Sequence, residues 1–132
     1  MPDAARRFAR RVFTGAAVYG LLALVPQYFL EDRLNRDFPP AITHPEHFYG
    51  FVGIAIAWQF AFLVIARDPV RYRALMPVAV LEKLAFGGAA IVLFALGRIA
   101  WPVLAVGGVD LVLAALFLVA YRMTPRASGL LP

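Results

Sequence analysis

The chain has 132 residues, 62% of them hydrophobic and 16% charged, with a net charge of +5. Soluble domains carry roughly 45–50% apolar residues and about 25% charged ones, and a chain this short has too much surface for its volume to bury the excess, so lipid is the expected solvent. Nucleic acid is excluded as a partner because the arginines lie in short segments between apolar runs, and the absence of cysteine excludes a disulfide framework or a thiolate metal site.

A spanning helix needs about 20 mostly apolar residues. The first window that qualifies is 12–30, "VFTGAAVYGLLALVPQYFL". Arg6, Arg7, Arg10 and Arg11 precede it, as they would a signal peptide. It ends in "QYFLEDRL" without a small-residue cleavage site, so a retained helix is expected. A connection of about 17 residues follows, "EDRLNRDFPPAITHPEH", long enough to hold structure of its own and stiffened by Pro39-Pro40. Within it "THPEHFYG" has the pattern of a capping box, with Thr43 as N-cap, Pro45 in the first turn and Glu46 at the third position. That pattern explains the segment better than a metal site does. His44 and His47 with Glu46 are too few ligands, and no metal is expected.

The second window is 48–66, "FYGFVGIAIAWQFAFLVIA". It leads into "RDPVRYR", where Asp68 and Pro69 suit a short capped turn. The third window is 75–96, "LMPVAVLEKLAFGGAAIVLFAL", and the fourth 100–121, "AWPVLAVGGVDLVLAALFLVAY", with Pro77 and Pro102 in their first turns. None shows the alternation of a membrane strand. The expected fold is all-α: one domain, a four-helix antiparallel integral-membrane bundle. Nine arginines fall in the segments on one side of this topology and three on the other, in 1–11, 67–73 and 122–126 against the two opposite connections. The positive-inside rule then places both termini in the cytoplasm, with the protein a multi-pass component of the bacterial inner membrane.

Within the windows the polar residues gather at one depth. Taking 1.5 Å per residue, Tyr19, Gln59 and Glu82 each lie about 10 Å from the arginine-rich ends of their spans, with Lys83 one residue deeper than Glu82. Asp110 lies about 16 Å in. A lone charge at the centre of a spanning helix costs roughly 2.5–3.5 kcal/mol on insertion scales. The three charges are therefore expected to face the interior and pair. Glu82 is expected to point inward, and Lys83, about 100° away round the helix, either to reach Asp110 or to extend to the headgroups. Small residues suggest the inward faces, Gly107–Asp110–Ala114 in the fourth span and Gly15–Tyr19–Ala23–Pro26 in the first.

Two readings of Tyr19, Gln59, Glu82, Lys83 and Asp110 follow. One is a buried polar clamp that fixes helix register; the other is a binding pocket for a proton, an ion or a small amphipathic ligand. Trp58 could stack on such a ligand or pack between helices. The glycine pairs Gly87-Gly88 and Gly107-Gly108 follow no strand and are no phosphate loop. The only serine is Ser128, in the C-terminal segment, so no serine or cysteine nucleophile with a histidine partner is available.

The runs "HFYGFVGIAIAWQFAFLVIARDPVRYRALMPVAVLEKLAFG" and "GGVDLVLAALFLVAYRMT" resemble small four-span bacterial membrane proteins near the DoxX-like group. The resemblance implies a four-helix membrane fold and no particular activity. Sterol isomerases of the emopamil-binding type also use membrane-embedded acids, but no residue carries over from them. The expectation is a binding or accessory subunit with an intramembrane acidic pocket and no cofactor. Its partners would be membrane lipids and further subunits, copies of itself included. The alternative is a membrane enzyme or transporter that handles an apolar or lipid-like substrate through Glu82 and Asp110.

Overall fold

The computed structural model describes residues 2–128. Five α-helices follow in order: α1 Pro2–Leu24, α2 Glu31–Asp37, α3 Pro45–Arg67, α4 Met76–Ala95 and α5 Trp101–Met123, with no strand among the described residues. The segments containing α1, α3, α4 and α5 are long and apolar enough to cross a membrane. The chain is an all-α, multi-pass membrane protein in which these four helices pack together.

Helix α1 begins ten residues before the expected window, so Arg6, Arg7, Arg10 and Arg11 lie on its first turns and not on a tail. Polarity limits where hydrocarbon begins; it does not limit the helix, and Ala and Arg are both strong helix formers. Pro26, which lacks an N–H, ends the regular helix, and Val25–Phe29 form a tighter 3-10 turn. The start of α3 also differs from the expected capping box. His44, not Thr43, is the N-cap, and no side chain caps the helix. Pro45 at the first position keeps residue 44 out of helical backbone, at φ −124° and ψ 78°, which leaves Glu46 second and not third. Its Oε1 sits 3.1 Å from His44 Nδ1. The turn after α3 is as expected: Asp68 Oδ1 accepts the Arg71 N–H at 3.2 Å. Helix α4 ends where Gly97 takes φ +69°. The Arg98 N–H then reaches the Leu93 carbonyl at 2.8 Å and the Gly97 N–H the Phe94 carbonyl at 2.9 Å, the paired bonds of a Schellman stop.

Helix α4 packs chiefly on α5 and α1 chiefly on α3; α1 against α5 joins the two pairs, and α3 touches α4 only slightly. Small residues let α4 and α5 approach. A Cβ placed on Gly107 would lie 2.5 Å from the Ala90 Cβ, and one on Gly87 would lie 3.0 Å from the Gly107 carbonyl oxygen. Gly88 and Gly108, by contrast, face open space. Gly107→Ala is therefore expected to push the helices apart and cost about 1–3 kcal/mol. Gly108→Ala serves as the neutral control, both read by the thermal midpoint in maltoside detergent.

The tightest packing lies in the arginine-rich half. Phe13 stacks on Phe117 with ring centroids 4.2 Å apart, and Phe62 meets Phe117 edge-on at 5.0 Å. Alanines at 9, 16, 17, 79 and 120 fit round these rings, with Ile65 and Met76. At that end of the bundle Arg73 donates to the Thr124 carbonyl at 2.7 Å and lies 3.9 Å over the Tyr121 ring. Arg10 donates to the Arg67 carbonyl at 3.3 Å. Two arginines thus tie connections to helices where their heads meet water.

Candidate functional site

Above the aromatic core the helices diverge, and a cavity of about 580 Å³ opens between them. Its walls repeat at helical spacing. Phe51, Ala55 and Gln59 line it from α3; Val103, Val106 and Asp110 from α5; Glu82, Lys83 and Phe86 from α4; Tyr19, Gly20, Ala23 and Leu24 from α1. Along α3 the lining runs from Phe48 to Gln59, about 16 Å of helix. The far end is covered by Leu30 and Leu34, with Phe38 and Ile42 beyond α2. Phe51 and Phe86 stack with centroids 5.8 Å apart, so an aromatic pair spans the gap where α3 and α4 barely meet.

All five residues expected from the sequence line this cavity. The structure divides their roles differently, however. Lys83 is more deeply buried than Glu82: it is 4% exposed and shares the buried face of Ala79, Gly87 and Ala90. Its Nζ donates to Asp110 Oδ1 at 3.4 Å and lies 3.6 Å from Glu82 Oε2. Of the two expectations for Lys83, the reach across to Asp110 is the one realised. Asp110 is 8% exposed on the face of Gly107 and Ala114, as their small side chains suggested. Glu82 turns toward the cavity from the edge of the helix. Lys83 also sits 5.2 Å above the Phe62 ring, so the aromatic core is the floor beneath the ammonium.

Gln59 is 1% exposed, and its Nε2 donates to the Ala55 carbonyl one turn back at 2.8 Å. That bond fixes which way the amide faces. Its Oε1 is left against Gly20, where any side chain would collide with the amide, so the glycine makes room for a buried glutamine. Two buried acceptors, Gln59 Oε1 and Glu82 Oε2, have no hydrogen-bond partner among the described residues. Such atoms are uncommon in folded proteins, because each costs about 1–3 kcal/mol of unrecovered hydration.

The expected inward face of α1 is realised only in part. Tyr19, 37% exposed, and Ala23, also exposed, line the cavity, whereas Gly15 and Pro26 are exposed and do not line it. The buried stripe is Ala9, Phe13, Ala16, Ala17 and Gly20. In a helix apolar all round, small size alone does not separate an inner face from an outer one. Trp58 packs on Phe62 with centroids 6.2 Å apart and does not line the cavity.

Sequence reasoning did not identify α2 as a cover. The signal was present as Leu30, Leu34 and Phe38, four residues apart in a polar segment. The cover is fixed at two points. Tyr49 donates its hydroxyl to Glu31 Oε2 at 2.7 Å, and Asn35 Oδ1 accepts the Ile42 N–H at 2.7 Å. Close by, exposed on the first turn of α3, His44, Glu46 and His47 bring three ligand atoms within 4.8 Å of one another. Three exposed donors fall short of the four of a closed zinc site.

The cavity thus has one chemically active end. Two carboxylates share a single ammonium there, next to an unpaired amide oxygen and a tyrosine, while the rest of the wall is apolar apart from Gln27 and backbone. The arrangement can hold a polar head against fixed charges and an apolar body along the helices. No family model, curated protein or solved structure matches this chain.

Proposed function

We propose that the protein is a small component of the bacterial inner membrane, with both termini in the cytoplasm, that binds a lipid-like amphiphile between its helices. The cavity carries this reading: about 580 Å³, within the 300–1,000 Å³ of small-molecule sites, with its ionisable groups gathered at the floor. The ligand's head would lie at Glu82, Lys83, Asp110 and Gln59, and its apolar part would run toward α2. The positive-inside rule supports the orientation, since the arginines of α1, the 67–73 connection and the end of α5 share one end. The broad apolar faces outside the bundle suit lipid, copies of the chain or other subunits of a membrane complex, in line with the proposed kinship to DoxX-like proteins.

Val103→Trp would narrow the cavity in its apolar part while leaving the charged floor intact. The molecules that stay bound through purification in maltoside detergent can be identified by mass spectrometry. The wild-type protein should retain an amphiphile and the Val103→Trp protein should lose at least about nine-tenths of it, the effect of 1.4 kcal/mol or more. Equal retention by a folded Val103→Trp protein would remove the cavity from the function.

An enzyme acting on a lipid-like substrate is the second reading, favoured by the Glu82 carboxylate that faces the cavity with Tyr19 at its rim. A carboxylate so placed can serve as general acid or base, a role worth about 10²–10⁴-fold in rate. Glu82→Gln separates the readings: turnover by an enzyme should fall by that factor, whereas a binding component has no turnover to lose.

A further inference from the structure

The polar floor specifies the head of the ligand. We infer that it is a protonated amine, so that the cavity selects cationic amphiphiles over neutral or anionic ones of the same length; this rests on the binding role proposed above.

Lys83 Nζ is already directed at both carboxylates and seated over Phe62. The Gln59 amide N–H is taken by the Ala55 carbonyl. What remains buried without a hydrogen bond among the described residues is one amide oxygen, Gln59 Oε1, and one carboxylate oxygen, Glu82 Oε2, both acceptors, the second lying 3.6 Å from the Lys83 ammonium. Gln59 is almost wholly buried and lines the cavity, so it is not an exposed group satisfied by bulk water. The Glu82 and Asp110 carboxylates that line the cavity can only accept when ionised, and the donors beside them are already engaged, so a ligand head that pairs with this floor must donate.

Charge separates the donors. The ionisable groups at the floor are Glu82, Asp110 and Lys83, two acids to one base. A third negative charge would sit beside two others in an apolar setting, where like charges repel strongly. A hydroxyl supplies one donor and no charge. An ammonium supplies three donors and the missing positive charge, and charge-assisted hydrogen bonds are roughly twice as strong as neutral ones. The alkyl part of such a molecule matches Ala55, Phe51, Phe86 and Val106 above the floor.

The test uses dodecylamine, dodecanol and dodecanoate with the full chain in phosphatidylcholine nanodiscs. Protein-free nanodiscs correct each probe for partition into the bilayer. Dodecylamine should bind at least about tenfold more tightly than dodecanol, the ratio expected of one charge-assisted hydrogen bond, and dodecanoate more weakly still. Glu82→Gln should bring the amine-to-alcohol ratio close to one. The wild-type ratio needs no variant to fold, and the thermal midpoint reports whether Glu82→Gln has folded. If the three probes bind equally, or the alcohol or acid binds best, the inference is overturned while the cavity's binding role stands. If none binds above the protein-free control, the binding role falls with it. A preference for the amine that is lost in Val103→Trp locates the selection in this cavity.

Discussion

Lys83→Met should lower stability by about 3–5 kcal/mol, the loss typical of breaking a buried ion pair from one side. Methionine keeps most of the length and volume of the side chain, so packing changes little. What disappears is the ammonium 3.4 Å from Asp110 and 3.6 Å from Glu82. Both acids then remain beside each other in an apolar wall with no counter-charge. Adding Asp110→Asn should recover much of the loss, because it removes one of the two stranded charges. Unfolding in mixed micelles with increasing dodecyl sulfate measures both steps. If Lys83→Met unfolds at the same dodecyl sulfate fraction as wild type, the three groups do not act as a unit.

A third variant tells the clamp from the site. Replacing Glu82, Lys83 and Asp110 together by leucine or methionine removes every charge from the floor. Exchanging a buried ionic set for apolar residues of similar volume is often neutral, or stabilising by about 1–4 kcal/mol. A triple variant that assembles as well as wild type would mean that the charges are not needed for helix register, which leaves ligand binding as their use. A triple variant that folds into mixed arrangements would mean that the Lys83–Asp110 link selects how α4 meets α5. The geometry already limits the clamp reading. The α4–α5 seam has its own register device in Gly87, Ala90 and Gly107, and a clamp gains nothing from an unpartnered glutamine oxygen in another helix.

The sequence displayed the four spans and the common depth of the five polar residues because both depend on the cost of placing polar groups in lipid. That cost is large and independent of the rest of the fold. It did not display which face of a helix turns inward. In water an inner face is the apolar one; in lipid the outer face is equally apolar, and periodicity carries no such signal. Hence α1 packs Ala9, Phe13 and Gly20 against its neighbours, while Ala23 only lines the cavity and Gly15 is exposed. The direction of Lys83 stayed open in the sequence for a related reason: one residue is about 100° of helix, and only the position of Asp110 on α5 decides where the ammonium goes. The start of α3 at His44 and not Thr43 depended on the constraint that Pro45 puts on its predecessor. The aromatic floor of Phe13, Phe62 and Phe117 joins positions far apart in the chain, a pairing that only the packed helices reveal.

Phe62 provides the second large effect, and its size depends on the solvent. In a water-soluble core Phe→Ala costs about 3–5 kcal/mol, part from transfer of the ring and part from the space it leaves. Here helices that separate remain in lipid, so transfer contributes little and the unfilled space dominates. At roughly 24 cal/mol per Å³ of residual space, Phe62→Ala should cost about 2–3 kcal/mol in mixed-micelle unfolding. The ring does more than fill volume, since it lies 5.2 Å beneath the Lys83 ammonium. Phe62→Ala should therefore also weaken amphiphile binding by letting Lys83 sink away from Glu82 and Asp110. Phe13→Ala is the matched comparison. Phe13 is equally buried and stacks in the same cluster, but the cation contact belongs to Phe62. Similar losses of stability with a binding defect confined to Phe62→Ala would make that ring the support of the site. Identical binding in the two variants would make it only a part of the core.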